Sequence, residues 1–342
     1  MPDENAKSVN NQALNAALGD TIQASACLKY LERDFNVDWL CSPSSIPIIE
    51  HNPRISRIIR YTPDSIPLDR LDEYYKFLST DYDRTVVLSG SVEGQYLKAY
   101  PHPDYYWCMA KRRKNTDGNF IEEQIRTCGY TPEGGDVGEL YFGSEDVVTA
   151  KNIRRELKNK WIIMWALAGS SIQKGYLHLQ RVMEAVFKAI PESVLFLIGS
   201  KEEALRLSWA DPRVINYGLE NKRYMTSFAL AKFADLVVGP ETALLNAAGC
   251  FDTPKIAMMT HSSIKNLCAT WRNDFSLQAK CWCSPCYYLH KYTHIWKNVC
   301  TLDKYSWHKY GKAIPACTAE GFPPQYVFDR IMEVYNTRKE RK

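Results

Sequence analysis

The chain has 342 residues, 45% of them hydrophobic and 24% charged, with a net charge of +4. That length suits two domains of ordinary size, and the balance of residue types excludes disordered and fibrous classes. The charge falls short of a dedicated DNA-binding domain. No apolar run reaches the ~18–20 residues that cross a bilayer. The opening MPDENAKSVNNQ lacks the basic-then-apolar layout of a secretory signal, so a cytoplasmic protein is expected.

Short apolar runs alternate with amphipathic segments, the pattern of α/β architecture. Residues 24–35 carry apolar positions at helical spacing, with charge on the other face. A strand is expected over 37–41, a turn at Ser42-Pro43, a short helix over 46–50, and further strands over 57–61 and 85–88. Residues 97–108, rich in Pro, Tyr and Trp, read as a loop at a domain edge or as a substrate platform. The segment GSEDVVTAKNIRRELKNK reads as an exposed helix joining two halves. The alternation then restarts with strands over 162–167, 194–198, 214–217, 236–238 and 255–259. Helices are expected over 178–190, 224–234 (amphipathic) and from 243, and a capped terminal helix with a basic end over 323–339. Such closely spaced units favour parallel sheets with right-handed crossovers. The expected organisation is two Rossmann-like domains facing across a cleft, over 1–157 and 158–322, with a Cys-rich segment at 281–317. Residues 323–342 would form a helix crossing back to the first domain.

Three strand ends in the second half carry small or polar residues where a helix begins. The first is AGSSIQK, with Ser170, Ser171 and Lys174; hydroxyls, free amides and a lysine make a seat for a diphosphate. The second is VVGPETALLN, where Gly239 ends a strand and Glu241 and Thr242 open a helix that continues through Ala243 to Asn246. In a doubly wound sheet such residues face the ligand crevice. The third is MTHSS, which places Thr260 after the next strand. Each segment alone is equally an ordinary helix cap, and three at strand ends of one sheet are far more specific. In the first half, ALGDT sets Gly19 and Asp20 before a helix. The glycine allows close approach to substrate, and Asp20 is either a general base or an N-cap.

Taken together, ALGDTIQASACLKYLERDFNVDWLCSP, IIEHNPRISRII, AGSSIQK and ADLVVGPETALLNAAGCFDTPKIAMM resemble glycosyltransferase family nine, the ADP-heptose heptosyltransferases of lipopolysaccharide assembly. The resemblance covers most of the chain. It implies a GT-B type fold and an inverting, metal-independent transferase. A sugar would move from an ADP- or other nucleotide-sugar donor to a hydroxyl acceptor, a glycan or lipopolysaccharide-type molecule. It implies that Asp20 deprotonates the acceptor, that Ser170 and Lys174 hold the donor diphosphate, and that Glu241, Thr242, Ala243 and Asn246 line the nucleotide-sugar pocket. The chain departs from the family pattern where Glu241 replaces Asp, Ala243 replaces Gly and Asn246 replaces His. SVNNQALNAA is also polar for the strand that should precede Gly19, so either that strand is a poor one or the first half is trimmed.

Eleven cysteines, an odd number, argue against a disulfide framework. Cys283 and Cys286, then Cys300 and Cys317, form a pattern suited to a structural Zn²⁺, with Cys281, His290 and His294 as alternative ligands and buried free thiols as the plainer explanation. No catalytic cofactor is expected. Two further functions fit the residues: a transferase acting on a modified DNA base, with nucleic acid as acceptor, and a non-catalytic nucleotide-binding module that kept the fold. A dehydrogenase does not fit, since no Gly-x-Gly-x-x-Gly follows a first strand.

Overall fold

In a computed structural model of the chain, residues 8–13, 18–61, 70–88, 107–167, 169, 174–199, 209–217, 223–287 and 315–340 are described. Among these residues, ten strands form two all-parallel sheets. The first holds β1 (Ser8–Ala13), β2 (Asn36–Cys41), β3 (Ile55–Arg60) and β4 (Arg84–Val87) in the order β3-β2-β1-β4. The second holds β5 (Trp161–Ala166), β6 (Ser193–Ile198), β7 (Val214–Ile215), β8 (Leu236–Pro240), β9 (Lys255–Met259) and β10 (Leu277–Gln278). Its order, β10-β9-β8-β5-β6-β7, is the doubly wound 3-2-1-4-5-6 arrangement read from β7. Both sheets are therefore Rossmann-like, and the fold class expected from the sequence is the one observed.

The polar run SVNNQA forms a strand after all, and a central one. β1 lies between β2 and β4, in register from Ser8 opposite Asn36 to Ala13 opposite Cys41. Pairing on both sides satisfies its backbone groups, whatever the hydropathy of its residues.

The helices of the first half are α1 (Leu18–Ala24), α2 (Leu28–Leu31), α3 (Ile46–Ile49), α4 (Leu71–Ser79), α5 (Met109–Thr116), α6 (Phe120–Thr127) and α7 (Ser144–Glu156). Helix α1 begins six residues before the expected start at 24, so Gly19 and Asp20 sit in its first turn rather than ahead of it. Helix α7 is the expected connecting helix, yet Asp146 and Ala150 on it are buried. Asp146 accepts a hydrogen bond from Thr226 Oγ1 and pairs with Arg223 at 3.3 Å.

The second half contributes α8 (Leu179–Ala189), α9 (Tyr224–Ala231), α10 (Ala243–Gly249), α11 (Ile264–Cys268), α12 (Ala316–Ala319) and α13 (Pro324–Glu340). Helix α9 is not amphipathic as expected: Met225 through Ala231 are all buried, because α7 and α10 both pack against it. The terminal helix α13 packs on the second half in the contacts described. Val327, Ile331 and Val334 share the core with α8, Tyr335 donates to Glu192, and Arg338 pairs with Asp235 at 2.9 Å. Among the described residues, no helix is long and apolar enough to cross a membrane.

Candidate active site

In an open parallel sheet of this order the direction of winding reverses between two neighbouring strands, leaving a crevice beyond their carboxyl ends. In the second sheet those strands are β5 and β8. Their termini are welded closely at Gly239, whose φ of 154° lies outside the range L side chains readily adopt; a Cβ there would stand 2.7 Å from Ala166 Cβ. Lys174 follows β5, Glu241 follows β8, and the segment from Thr260 to Ser263 follows β9. The crevice between β5 and β8 is where the sequence led us to expect a diphosphate seat.

Glu241 is the centre of this cluster. It is 5% exposed, and Oε2 lies 2.9 Å from His261 Nδ1 and 4.0 Å from Lys174 Nζ. Oε1 accepts a hydrogen bond from Ser262 Oγ at 2.7 Å. Burial by itself would raise the pKa of this carboxyl. The charge and hydrogen bonding of His261, with Lys174 and Ser262, overcome that and hold it below the usual carboxylate value. The site thus keeps a buried anion beside a buried lysine, at the point where a strand order reverses.

Thr242 precedes α10 with extended backbone but makes no side-chain capping bond, and its buried Oγ1 has no hydrogen-bond partner among the described residues. The capping role that the sequence allowed for it is therefore not used. A buried hydroxyl left this way is a group that a ligand oxygen would satisfy. Ala243 opens α10. Thr260, 3% exposed, follows β9, and its carbonyl accepts from Ser284 Oγ at 2.7 Å. Ser170 and Ser171 lie outside the described residues.

Asn246 is engaged across the seam between the halves. Its Oδ1 accepts from Gln23 Nε2 of α1 at 3.3 Å, a bond between the two halves. Gly19 faces the same side chain, and Asp20 stands next in α1, 7% exposed. Sequence reasoning missed His261 and Ser262 as the partners of Glu241, although the strand end MTHSS that carries them was in view. The signal was present; what could not be read was that the three strand ends converge on one carboxylate.

The cysteine segment adjoins this region. Tyr287 N donates to His261 O at 2.7 Å, and Gln278 Nε2 donates to Ser262 O and to Ser284 Oγ. Cys281 Sγ is 3.2 Å from Cys283 Sγ. Hydrogen bonds from Cys283 and then Cys317 hold the Cys281 thiol well below the ordinary range, and the Cys317 thiol is pushed up in turn. Of the expected ligand set, Cys283, Cys286 and Cys317 are described, while Cys300, like His290 and His294, lies outside. Among the described residues no group of three or more His, Cys, Asp or Glu is arranged to hold a metal ion.

No family model matches the chain, and no curated protein matches it. Solved structures do. A glycosyl transferase family 9 protein from Veillonella parvula superposes with a TM-score of 0.63 at 10% identity, over 96% of this chain and 97% of that one. ADP-heptose lipopolysaccharide heptosyltransferase II of E. coli gives 0.62 at 12%, over 97% and 99%. The iron-containing dodecameric glycosyltransferase TibC of enterotoxigenic E. coli gives 0.60 at 12%, over 98% of this chain and 80% of TibC. At such identities what is shared is the architecture: the chain has the two-domain, Rossmann-like fold of these glycosyltransferases along nearly its whole length.

Proposed function

We propose that the protein is an inverting glycosyltransferase that takes a sugar from a nucleotide-sugar donor to a hydroxyl acceptor of glycan or lipopolysaccharide type. The observation that carries this reading is the junction of Lys174 with Glu241 at the strand reversal of the second sheet. In the reaction, the acceptor oxygen attacks the anomeric carbon while the bond from that carbon to the donor phosphate breaks. Asp20 takes the acceptor proton, and the departing diphosphate gains negative charge. Lys174, with Ser170, Ser171 and the Thr242 hydroxyl, meets that charge, so that the protein's own groups do the stabilising. Glu241, held as an anion by His261, Ser262 and Lys174, faces the sugar and orients the lysine.

Support comes from two directions. Asp20, Ser170, Lys174, Glu241 and Thr242 are residues that the resemblance to family nine marks out, and the fold is shared with a structure described as an ADP-heptose lipopolysaccharide heptosyltransferase. TibC has been captured in complex with ADP-D-β-D-heptose, which makes ADP-heptose the first donor to try. The departures at Glu241, Ala243 and Asn246 leave the sugar open. The domain division near residue 158 and a structural Zn²⁺ on Cys283, Cys286, Cys300 and Cys317 belong to the same proposal. Thiolates are soft ligands suited to Zn²⁺, and metal analysis of the purified protein tests that part.

The functional test is a panel of nucleotide sugars read by thermal shift and by hydrolysis of the donor. A donor that raises the melting temperature and is slowly hydrolysed is expected; no stabilisation by any nucleotide or nucleotide sugar overturns the reading. Asp20→Asn should lower transfer by about 10²–10⁴-fold while donor binding persists. Full activity in that variant would reduce Asp20 to a structural residue of α1.

A further inference from the structure

Asn246 is the residue in the donor turn that departs furthest in chemistry from its counterpart in family nine, and its side chain is engaged across the seam between the halves. Besides accepting from Gln23 Nε2 at 3.3 Å, its amide lies over Gly19. A Cβ at Gly19 would run into Asn246 Nδ2, while the nearest α10 backbone atom, Ala243 Cα, would stand at an ordinary 3.5 Å, so the glycine makes room specifically for the Asn246 amide. The carbonyl of Asn246 accepts from Cys250 Sγ at 3.4 Å, and its N–H bonds Thr242 O at 3.0 Å, which ties the residue to the donor turn itself. On the other side α1 is locked in place. Ser25 Oγ donates to Ile22 O and accepts from Glu139 N, and Gly138 packs on the Ile22 carbonyl with no room for a Cβ.

Helix α1 therefore sits between a fixed loop of its own half and the donor-turn helix of the other. We infer that Asn246 is a positioning residue: its amide, laid across Gly19 and bonded to Gln23, sets the register of α1 on α10 and so holds Asp20 of the first half at a fixed place relative to the donor turn of the second. This rests on the reading of Asp20 as the base and of Glu241–Thr242 as the donor turn. The amide chemistry suits the place: its oxygen accepts from Gln23 while its nitrogen lies against Gly19. Misplacing a reacting group by about 1 Å costs roughly a hundredfold in rate, so a register clasp of this kind acts on turnover rather than on donor affinity.

The test has one arm that needs no catalysis. Gly19→Ala drives a methyl into the Asn246 amide and should lower the melting temperature. Asn246→Ala removes the obstructing atom, so the double variant Gly19→Ala/Asn246→Ala should melt at or above Asn246→Ala alone. If Gly19→Ala lowers the melting temperature equally in both backgrounds, or in neither, the clasp does not exist. The second arm uses ADP binding by calorimetry and the release of ADP from ADP-D-β-D-heptose. Asn246→Ala should keep the ADP Kd and the KM for the donor while kcat falls about a hundredfold. Loss of ADP binding would make Asn246 a donor ligand instead, and an unchanged kcat would make the contact mere packing; either overturns the inference. If the unaltered protein neither binds ADP nor releases it, the transferase reading fails and the positioning role with it, while the melting series still decides whether the two helices are registered by this contact.

Discussion

In the second sheet every residue of β5, β8 and β9 is buried, whereas β3 of the first sheet has no buried residue and β4 has one. A parallel sheet covered on both faces reads as a continuous apolar run, and WIIMWA is such a run; ISRIIR is not. The strands whose ends lead to Lys174 and Glu241 are thus covered on both faces, unlike the edges of the first sheet, and the site rests on a floor that has little freedom to shift. The first half presents Asp20 from a buried helix, but the sheet behind that helix is half-solvated at its β3 edge. The contrast teaches where precision is built: Lys174 and Glu241, the groups we propose to grip a diphosphate, stand beyond the ends of strands fixed from both faces.

The largest effect that sharpens this contrast is expected at Trp165, fully buried in β5 and stacked at 5.8 Å on Tyr176. Trp165→Ala should cost about 3–5 kcal/mol, read by chemical denaturation. Next comes Glu241→Gln. It removes a buried anion from among His261, Ser262 and Lys174 and should cost about 1–3 kcal/mol at neutral pH. The same carboxyl shapes the acid limb of stability. Its folded pKa lies below its ordinary 4.5. Between the two values the unfolded chain holds a proton that the folded chain does not, so stability rises with pH there. The contribution is present above about 4.5 and is lost as pH falls through the folded value; Glu241→Gln should flatten that limb, and an unchanged limb would show that the ion cluster adds nothing. The smallest effect is expected at the edge of the first sheet, where Ile58→Ala, at a half-buried position, should cost about 1 kcal/mol. A loss there equal to that at Trp165 would erase the contrast.

Much of the second half was legible from the sequence because burial leaves a signature: SVLFLI and WIIMWA cannot be other than covered strands when set between helical segments. The donor-side strand ends were legible for the same reason, since the polar residues fall where the apolar runs stop. The first half was harder to read. SVNNQA carries no hydrophobic signal, yet pairing with both neighbours makes it the centre of its sheet. Helix α5, with MAKRRKNT, has no apolar stripe, and what fixes it is tertiary. Arg112 donates to the carbonyls of Trp107 and Tyr287, and Arg113 to those of Trp282 and Pro285. Long-range contacts of that sort, like the one between Gln23 and Asn246, leave no periodic trace. Helix α9 departs from the expected amphipathic pattern because the structure covers it on both sides.

The central claim is that the crevice beside Lys174 and Glu241 is a seat for a nucleotide diphosphate. Calorimetric titration of ADP into the protein, and into Lys174→Ala, tests it most directly. Saturable binding is expected in the unaltered chain, weakened at least about tenfold in the variant, as befits the loss of a charge-assisted hydrogen bond. Equal affinity in the two proteins, or no binding in either, would contradict it.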